Sequence, residues 1–292
     1  MDDARNLRGM TVVVTGASAG IGAAAARRFR ALGATVAVVG RSPRKTAAVA
    51  AAIGAEPHVA DFSRLGDVRR LAGTLAARYP RIDVLANNAG GIFSRHVLTA
   101  DGHETTFQVN YLAPFLLTML LMDRLAAAPD ARVISTASVI YRSARIDLDD
   151  LARTGGRYRA MTAYGTSKVA IVLFTRELAR RAQGTSVTAS AFHPGMVISE
   201  VARDTRLAPL AGVAMRTGLT RVVLSTPEQG AAPLLRLATA PDPQSVNGVY
   251  FHRFRPEEPR NKQAADPGLA SRLWEHSHQL AGAPASRHLT AS

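Results

Sequence analysis

Residues 10–22 have the sequence Met-Thr-Val-Val-Val-Thr-Gly-Ala-Ser-Ala-Gly-Ile-Gly, and the predicted fold is built outward from them. The β-branched run Met10–Thr15 predicts a buried parallel strand. Three glycines follow it directly, and the alanine-rich run Ala23–Leu32 predicts a helix. Strand, glycine turn and helix in this order are typical of a site that holds a dinucleotide pyrophosphate at the helix N-terminus.

The three glycines of this turn have different predicted tasks. Gly16 allows the tight turn, Gly20 lets the backbone approach the phosphates, and Gly22 permits close packing of the helix on the strand. Their spacing is G-x-x-x-G-x-G rather than G-x-G-x-x-G. On this motif alone, an ordinary strand-to-helix turn therefore stays open as the alternative.

Arg41 follows the second predicted strand, Ala34–Val39. In dinucleotide folds an acidic residue here binds the ribose 2′-hydroxyl of NAD, whereas a basic residue accommodates the 2′-phosphate of NADP. Arg44 and Lys45 come close behind Arg41, and no acidic residue does. The sequence therefore predicts NADP(H), with an arginine merely exposed at a strand end as the alternative.

Polar and small residues also follow the later predicted strands. The third predicted strand ends at Asp61-Phe62, and Asn87-Asn88-Ala89-Gly90 follow the fourth (82–86). Ser138 ends the fifth (132–138), and Pro194-Gly195 come after the sixth (186–192). A seventh strand is predicted over 248–251. Because the carboxyl ends of parallel strands meet at one edge of a sheet, we expect a ligand to lie there, with the Asp61 carboxylate in reach of an adenine amino group.

Tyr164 and Lys168 begin the apolar run that ends at Phe174, and on a helix they would lie on one face. A phenol titrates near pH ~10, and a nearby cation lowers its pKa towards a range useful for acid–base catalysis. A lone pair at this spacing is more often a buried aromatic beside a surface lysine. The cofactor motifs favour a catalytic pair.

A further helix pattern runs from Asp101 towards Leu125 with Asn110 in its interior. This asparagine is either a hydrogen-bonded structural plug or a relay group.

Composition bounds the remaining function classes. The 292 residues include no cysteine, which excludes disulfides, thiolate metal sites and cysteine nucleophiles, and no metal site is predicted. The net charge of +14 (36 basic minus 22 acidic residues) suggests a nucleic-acid partner, but the arginines are scattered and a solvated basic surface is favoured. No membrane-spanning segment or signal peptide is evident. We therefore expect a cytoplasmic protein that binds neither nucleic acid nor membrane.

Several of these motifs agree in order and spacing with one known family. Thr15-Gly16-x-x-x-Gly20-Ile21-Gly22, Asn87-Asn88-Ala89-Gly90, Asn110, Ser138, Tyr164-x-x-x-Lys168 and Pro194-Gly195 together resemble the short-chain dehydrogenase/reductase superfamily. The segments from Asp101 through Asn110 and from Ser167 through Ala179 resemble its retinol dehydrogenase-like branch. The resemblance implies an α/β, single-domain Rossmann fold with a seven-stranded parallel doubly wound sheet. Residues 1–252 would form the catalytic domain, with 195–225 covering the substrate, and 253–292 a tail with one helix.

The resemblance also implies roles for the site residues. Tyr164 would exchange a proton with the substrate oxygen, Lys168 would lower the phenol pKa and bind the nicotinamide ribose, Ser138 would donate to the developing alkoxide, and Asn110 would hold a water linked to Lys168. The residues expected at the cofactor are Gly16, Ser18, Gly20, Ile21, Arg41, Asp61, Phe62, Asn87, Asn88, Tyr164, Lys168, Pro194 and Val197.

Three features qualify the expected function. Position 19 is not basic, as it often is in NADP-using members, so Arg41 is the main support for the phosphate. The animal enzymes' membrane-anchoring segment is not found, so a retinoid substrate does not carry over. The apolar segment 200–224 together with Tyr141 and Tyr158 favours a bulky apolar carbonyl or alcohol. The alternatives are a dinucleotide-binding sensor or scaffold without chemistry and, from charge alone, a nucleic-acid binder; monomer and homodimer both stay open.

Overall fold

The computed structural model describes residues 6–195 and 225–289, and its strands form one sheet. The strand order is β3-β2-β1-β4-β5-β6-β7-β8. The strands are β1 (Thr11–Val14), β2 (Thr35–Gly40), β3 (Glu56–Val59), β4 (Val84–Asn87), β5 (Ala131–Thr136), β6 (Val187–His193), β7 (Val249–His252) and β8 (Arg255–Glu257). Strands β1 to β7 pair in parallel, and β8 pairs antiparallel with β7.

The described helices lie on both faces of this sheet. They are α1 (Gly20–Ala31), α2 (Pro43–Ile53), α3 (Leu65–Arg78), α4 (Thr105–Phe107), α5 (Ala113–Leu120), α6 (Met122–Ala126), α7 (Ala160–Arg181), α8 (Pro227–Ala238), α9 (Lys262–Ala265) and α10 (Pro267–Ala281). The described residues also include a π turn (Gln108–Leu112) and 3₁₀ turns at Val139–Arg142 and Gln244–Val246.

The apolar core is divided by the sheet into two clusters. One contains side chains of α1, α2 and α8 with one face of the central strands, among them Phe29 and Leu234. The other contains side chains of α3, α5, α7 and α10, among them Leu75, Phe115 and Trp274. Helices on both faces of a largely parallel sheet confirm the predicted doubly wound α/β fold.

The predicted sheet was one strand short. Residues Arg255–Glu257 add β8, which makes eight strands and an antiparallel edge. The tail after residue 252 also holds two helices, α9 and α10, where one was predicted over 269–280. Helix α10 packs against α7 and α5, with Trp274 in stacking contact with Phe174.

The helix pattern predicted from Asp101 to Leu125 is interrupted. Glu104 caps the first turn, because its carboxylate accepts hydrogen bonds from the backbone of Thr106 and Phe107 at 2.7 and 2.8 Å, so the helix begins after it. Pro114 has no N–H and cannot donate to the carbonyl four residues earlier, that of Asn110. The π turn lies around this Asn110.

Two strands end earlier than predicted. Strand β3 ends at Val59 rather than at Asp61-Phe62, because the Asp61 Oδ1 accepts hydrogen bonds from the backbone N (3.0 Å) and Oγ (2.8 Å) of Ser63 and closes a turn. Strand β5 ends at Thr136, and Ser138 lies two residues beyond it at the start of a 3₁₀ turn.

Residues 6–195 and 225–289 contain neither a membrane-spanning helix nor a metal-binding cluster. No helix there is long and apolar enough to cross a membrane. In the same residues, no three His, Asp or Glu side chains are grouped as a metal site requires.

Candidate active site

The glycine turn after β1 has the geometry of a phosphate cradle. Gly16 and Gly20 have φ values of +67° and +55°, which residues with a side chain rarely adopt. A Cβ on Gly16 would lie 2.8 Å from the Cα of Ala89, and one on Gly22 would collide with the Gly16 carbonyl oxygen. The turn therefore accepts only glycine where the β1 and β4 loops meet.

The N-terminus of α1 is free to receive an anion. Its N-cap, Ala19, offers no side-chain hydrogen bond, and the first turn carries no acidic residue. The first N–H groups of a helix lack partners within the helix and form the positive end of its dipole. These features fit the pyrophosphate of a dinucleotide, in a turn built from Gly16, Gly20 and Ile21.

The ends of β1, β4 and β5 are joined by hydrogen bonds at the edge next to this turn. Thr15 Oγ1 accepts from the backbone N of Asn88 (2.9 Å) and of Ala89 (3.0 Å). The Asn88 side chain donates to the Thr15 carbonyl at 3.0 Å and accepts from Thr136 Oγ1 at 3.2 Å. No role was predicted for Thr15 or Thr136, although both lie near the carboxyl end of a predicted strand.

Asn87 differs from its neighbour. Its side chain is 4% exposed and donates to Thr118 Oγ1 of α5 at 3.1 Å, while its Oδ1 has no hydrogen-bond partner among the described residues. The structure therefore places Asn87 between the sheet and α5, whereas Asn88 lies at the strand ends.

Helix α7 carries Tyr164 and Lys168 on one face, as predicted. The Lys168 Nζ lies 5.2 Å from the centre of the Tyr164 ring and donates to the carbonyl of Thr136 at 2.8 Å. The Ser138 hydroxyl lies close enough to the Tyr164 hydroxyl to influence the pKa of the phenol. The structure thus brings the hydroxyls of Tyr164 and Ser138 and the amine of Lys168 together at the carboxyl ends of the strands.

The pKa values of this pair differ from the expectation. Burial raises the pKa of Tyr164 to about 12, with the Ser138 hydrogen bond acting in the opposite direction. Burial lowers the pKa of Lys168 to about 7. The expected lowering of the phenol pKa by Lys168 is thus not found in this chain by itself: desolvation is the main cause of the shift, and Lys168 is not among its causes.

Asn110 lies in the π turn, 1% exposed, next to the same group. Its Oδ1 accepts from the backbone N of Gly91 at 2.8 Å, and its Nδ2 donates to the Gly91 carbonyl at 2.9 Å and to Ser167 Oγ at 3.1 Å. A Cβ on Gly90 would lie 2.9 Å from Asn110 Oδ1 and 3.9 Å from Lys168 Nζ. Asn110 therefore joins the loop after β4 to α7 close to the lysine.

The residues expected around the adenosine are divided between solvent and core. Arg41 is exposed directly after β2, and the Ser18 Cβ lies 2.8 Å from where a Cβ on Gly40 would be. Phe62 is 5% exposed and belongs to the core, with its carbonyl accepting from Gln108. The Asp61 carboxylate lies in the turn after β3 with one oxygen engaged by Ser63.

The last group of predicted residues follows β6. Pro194 is buried at the strand end, and Gly195 has a φ of +93°. Val197 and most of the predicted covering segment 195–225 lie outside the described residues.

The two tyrosines expected to indicate a bulky substrate are engaged elsewhere. Tyr141 is fully buried and donates to Glu257, so it does not support that expectation. The Tyr158 hydroxyl lies 3.1 Å from the carbonyl of Phe93 and 3.1 Å from Glu104 Oε1.

Comparison with known proteins gives one family. The family model described as "short chain dehydrogenase" matches residues 10–209. A protein from Streptomyces sp. (strain C5) named "putative daunorubicin C-13 ketoreductase" is 43% identical over 282 residues, which cover 94% of each chain. Retinol dehydrogenase 13 of Homo sapiens is 37% identical over 94% of this chain and 85% of its own.

A solved structure agrees with these relatives. A short chain dehydrogenase from Burkholderia cenocepacia in complex with NADP is 28% identical, with a TM-score of 0.67 over 86% of this chain and 98% of its own. The glycine turn, the strand ends and the similar proteins lead to the same conclusion: the chain belongs to the short-chain dehydrogenase/reductase family, in its retinol dehydrogenase-like part, and is an NAD(P)(H)-dependent oxidoreductase.

Proposed function

We propose that this enzyme reduces a ketone or aldehyde on an apolar, bulky small molecule with NADPH, or runs the reverse oxidation, with Tyr164 as the acid or base. The observation that carries the proposal is the convergence of Tyr164, Ser138 and Lys168 beside the glycine turn. When bound, the nicotinamide cofactor supplies the hydride.

The protein's own residues handle the proton and the charge. Tyr164 is protonated up to high pH, because burial raises its pKa to about 12, and it can therefore give a proton to a carbonyl oxygen that gains negative charge. Ser138, whose hydroxyl lies near that of Tyr164, donates a hydrogen bond to the same oxygen in this proposal. Lys168 adds an amine 5.2 Å from the phenol ring, and Asn110 fixes the loop beside it.

Two observations support NADPH over NADH. Arg41 is exposed at the end of β2, where a 2′-phosphate would be bound, and Arg44 in the first turn of α2 is exposed as well. The Burkholderia relative was solved with NADP. We infer that the positive charge of Arg41 selects the phosphorylated cofactor.

The names of two relatives support a substrate class. One is named a putative daunorubicin C-13 ketoreductase and the other a retinol dehydrogenase. We infer an apolar carbonyl compound such as a polyketide or a lipid-like molecule.

The test measures NADPH oxidation with a panel of hydrophobic ketones and aldehydes. Tyr164→Phe should lower kcat by about 10²–10⁴-fold, since proton transfer from a positioned side chain contributes that much. Tyr79→Phe, a hydroxyl deletion at the far end of α3, is the matched control and should leave kcat unchanged. Wild-type turnover by Tyr164→Phe would contradict the mechanism. NADPH binding without turnover across the whole panel would favour a dinucleotide-binding sensor or scaffold.

A further inference from the structure

A cluster of hydrogen bonds joins the edge strand β8 to the turn that begins at Ser138. The Tyr141 hydroxyl donates to Glu257 Oε1 at 3.2 Å. Arg142 donates from Nε to Oε1 at 3.0 Å and from Nη2 to Oε2 at 2.5 Å. The Glu257 side chain is 13% exposed, so one largely buried carboxylate holds two neighbouring residues of the turn.

The chain beyond β8 continues this attachment. The Asn261 Nδ2 donates to the carbonyls of Tyr141 (2.6 Å) and Ala144 (2.7 Å). The Gln263 side chain accepts from the backbone N of Ile146 at 3.0 Å and donates to its carbonyl at 2.9 Å. Residues 257–263 therefore hold the segment 138–146 from Tyr141 to Ile146.

The other side of this segment contacts the turn of α7 that carries Tyr164. A Cβ on Gly165 would lie 2.6 Å from the Ala144 Cβ and 3.7 Å from Ile140 Cγ1. Ser138, at the start of the segment, lies close enough to Tyr164 to influence the pKa of the phenol. The segment therefore lies between the tail and α7, and its position sets where the Ser138 hydroxyl meets the phenol.

We propose that Glu257 is a positioning residue, which holds Arg142 and Tyr141 so that the Ser138 hydroxyl stays directed at the substrate oxygen beside Tyr164. This inference rests on the proposed function. A displacement of a catalytic group by about 1 Å can cost about 10²-fold in rate. Glu257→Gln would present an NH₂ group to the Arg142 donors in place of one acceptor oxygen. The bidentate interaction with Arg142 would then be lost.

The experiment is a double-mutant cycle on the whole chain, with kcat and KM measured for carbonyl reduction. Glu257→Gln should lower kcat by about 10-fold or more while the KM for NADPH stays unchanged. Ser138→Ala should lower kcat by about 10²–10³-fold. If Glu257 acts through Ser138, adding Glu257→Gln to Ser138→Ala should change kcat by less than about 2-fold.

The pH profile of the reverse oxidation separates positioning from general stability. The Ser138 hydroxyl opposes the rise of the Tyr164 pKa, so its loss should move to higher pH the rising limb of kcat/KM, along which the phenol loses its proton and becomes the base. Glu257→Gln should shift that limb in the same direction as Ser138→Ala, although Glu257 does not touch the phenol. A purely structural role would lower the amount of folded enzyme and leave the limb in place.

Two glutamates of this chain serve as matched controls. Glu258→Gln changes the next residue, whose side chain is 97% exposed. Glu56→Gln removes a similar arginine-bound carboxylate at the opposite edge of the sheet. Both should keep wild-type kcat and the wild-type pH profile.

The outcomes separate this inference from the proposed function. Wild-type turnover by Ser138→Ala would overturn the mechanism itself. Loss of activity in Ser138→Ala with wild-type behaviour in Glu257→Gln, or independent multiplying effects in the double variant, would overturn the positioning role alone. Should Glu257→Gln fail to fold, Arg142→Lys tests the same hold, because lysine keeps the charge without the two-pronged geometry. It should give a smaller kcat loss that again disappears in the Ser138→Ala background.

Discussion

Two glutamates at opposite edges of the sheet are held by the same kinds of side chain. At the β3 edge, Glu56 accepts from Arg78 Nε at 2.8 Å and from the Tyr79 hydroxyl at 3.1 Å. At the β8 edge, Glu257 accepts from Arg142 and from the Tyr141 hydroxyl. In both cases the arginine and the tyrosine are neighbours in sequence, so the local chemistry is closely matched.

The two clusters differ in burial and in what they hold. The Glu56 and Arg78 side chains are 43% and 57% exposed and join β3 to the last turn of α3. The Glu257 and Arg142 side chains are 13% and 26% exposed and join β8 to the turn that follows Ser138. Similar ion pairs at the two sheet edges therefore hold different elements: one holds the end of a helix, and the other holds the turn that begins at Ser138. The elements that each pair joins distinguish the two clusters.

The largest expected effect outside the catalytic group belongs to Arg41, on the β3 side of the sheet. Hydrogen bonds to charged groups contribute about 1.5–3 kcal/mol, or about 10–100-fold in affinity. Arg41→Ala should weaken NADPH binding by that factor and leave NADH binding unchanged, whereas Glu56→Gln should alter neither. Titration of both cofactors by fluorescence measures this.

An equal loss for NADPH and NADH in Arg41→Ala would contradict a role in phosphate recognition. It would indicate that the residue supports the β2 end of the sheet in general. The β3 side of the sheet would then have no specific part in choosing NADPH over NADH.

Much of the site could be predicted because parallel strands bring their carboxyl ends to one edge. Asn88 and Ser138 follow apolar runs, and Tyr164 begins another, so their positions depend on local patterns. The glycine turn is equally local, since positive φ at Gly16 and Gly20 requires glycine. Asn88, Tyr164 and the glycines lie where the patterns indicated, whereas Ser138 lies two residues beyond the strand that it was predicted to end.

The β8 cluster could not be predicted in this way. Strand β8 has the sequence Arg-Pro-Glu, without an apolar pattern, and it pairs only because β7 offers an edge. Tyr141 follows Ser138 closely and therefore suggested a substrate contact. Its hydroxyl instead meets Glu257, which is 116 residues away in the chain. Contacts of such sequence separation leave no periodicity to detect.

The break in the helix pattern around Asn110 is a mixed case. The apolar residues continue through the whole segment, so periodicity predicts one helix. The capping carboxylate of Glu104 and the missing N–H of Pro114 are visible in the sequence, yet their consequence, a π turn at the asparagine, depends on how α5 packs.

A smaller effect is expected on stability when the arginines are truncated. Arg142→Ala leaves the largely buried Glu257 carboxylate with the Tyr141 hydroxyl and with Arg260, whose Nε lies 3.7 Å away. Loss of the main partner of a buried acceptor costs about 1–3 kcal/mol, and we expect a fall in the free energy of unfolding in that range. Arg78→Ala should have little effect, because its pair is exposed. Urea denaturation of both variants measures the two free energies of unfolding. Similar losses in Arg142→Ala and Arg78→Ala would contradict this prediction.

The smallest expected effect is the acid dependence of stability. Burial raises the pKa of Glu257, but the Arg142 hydrogen bonds and charge outweigh it, and the pKa lies below its ordinary value of 4.5. A carboxyl group with a lowered pKa in the folded state binds fewer protons there than in the unfolded chain, so its stabilisation is full above pH ~5 and is lost as the pH falls through the folded-state value. Glu257→Gln should therefore lose less stability than the wild type between pH 6 and pH 3, as followed by urea midpoints.

The pKa of Glu56 is also lowered, mainly by Arg78, but its exposed pair is screened by salt. Glu56→Gln should therefore differ less from the wild type in its acid dependence and should converge with it at 1 M NaCl. A larger acid effect at Glu56 than at Glu257 would show that burial does not distinguish the two clusters.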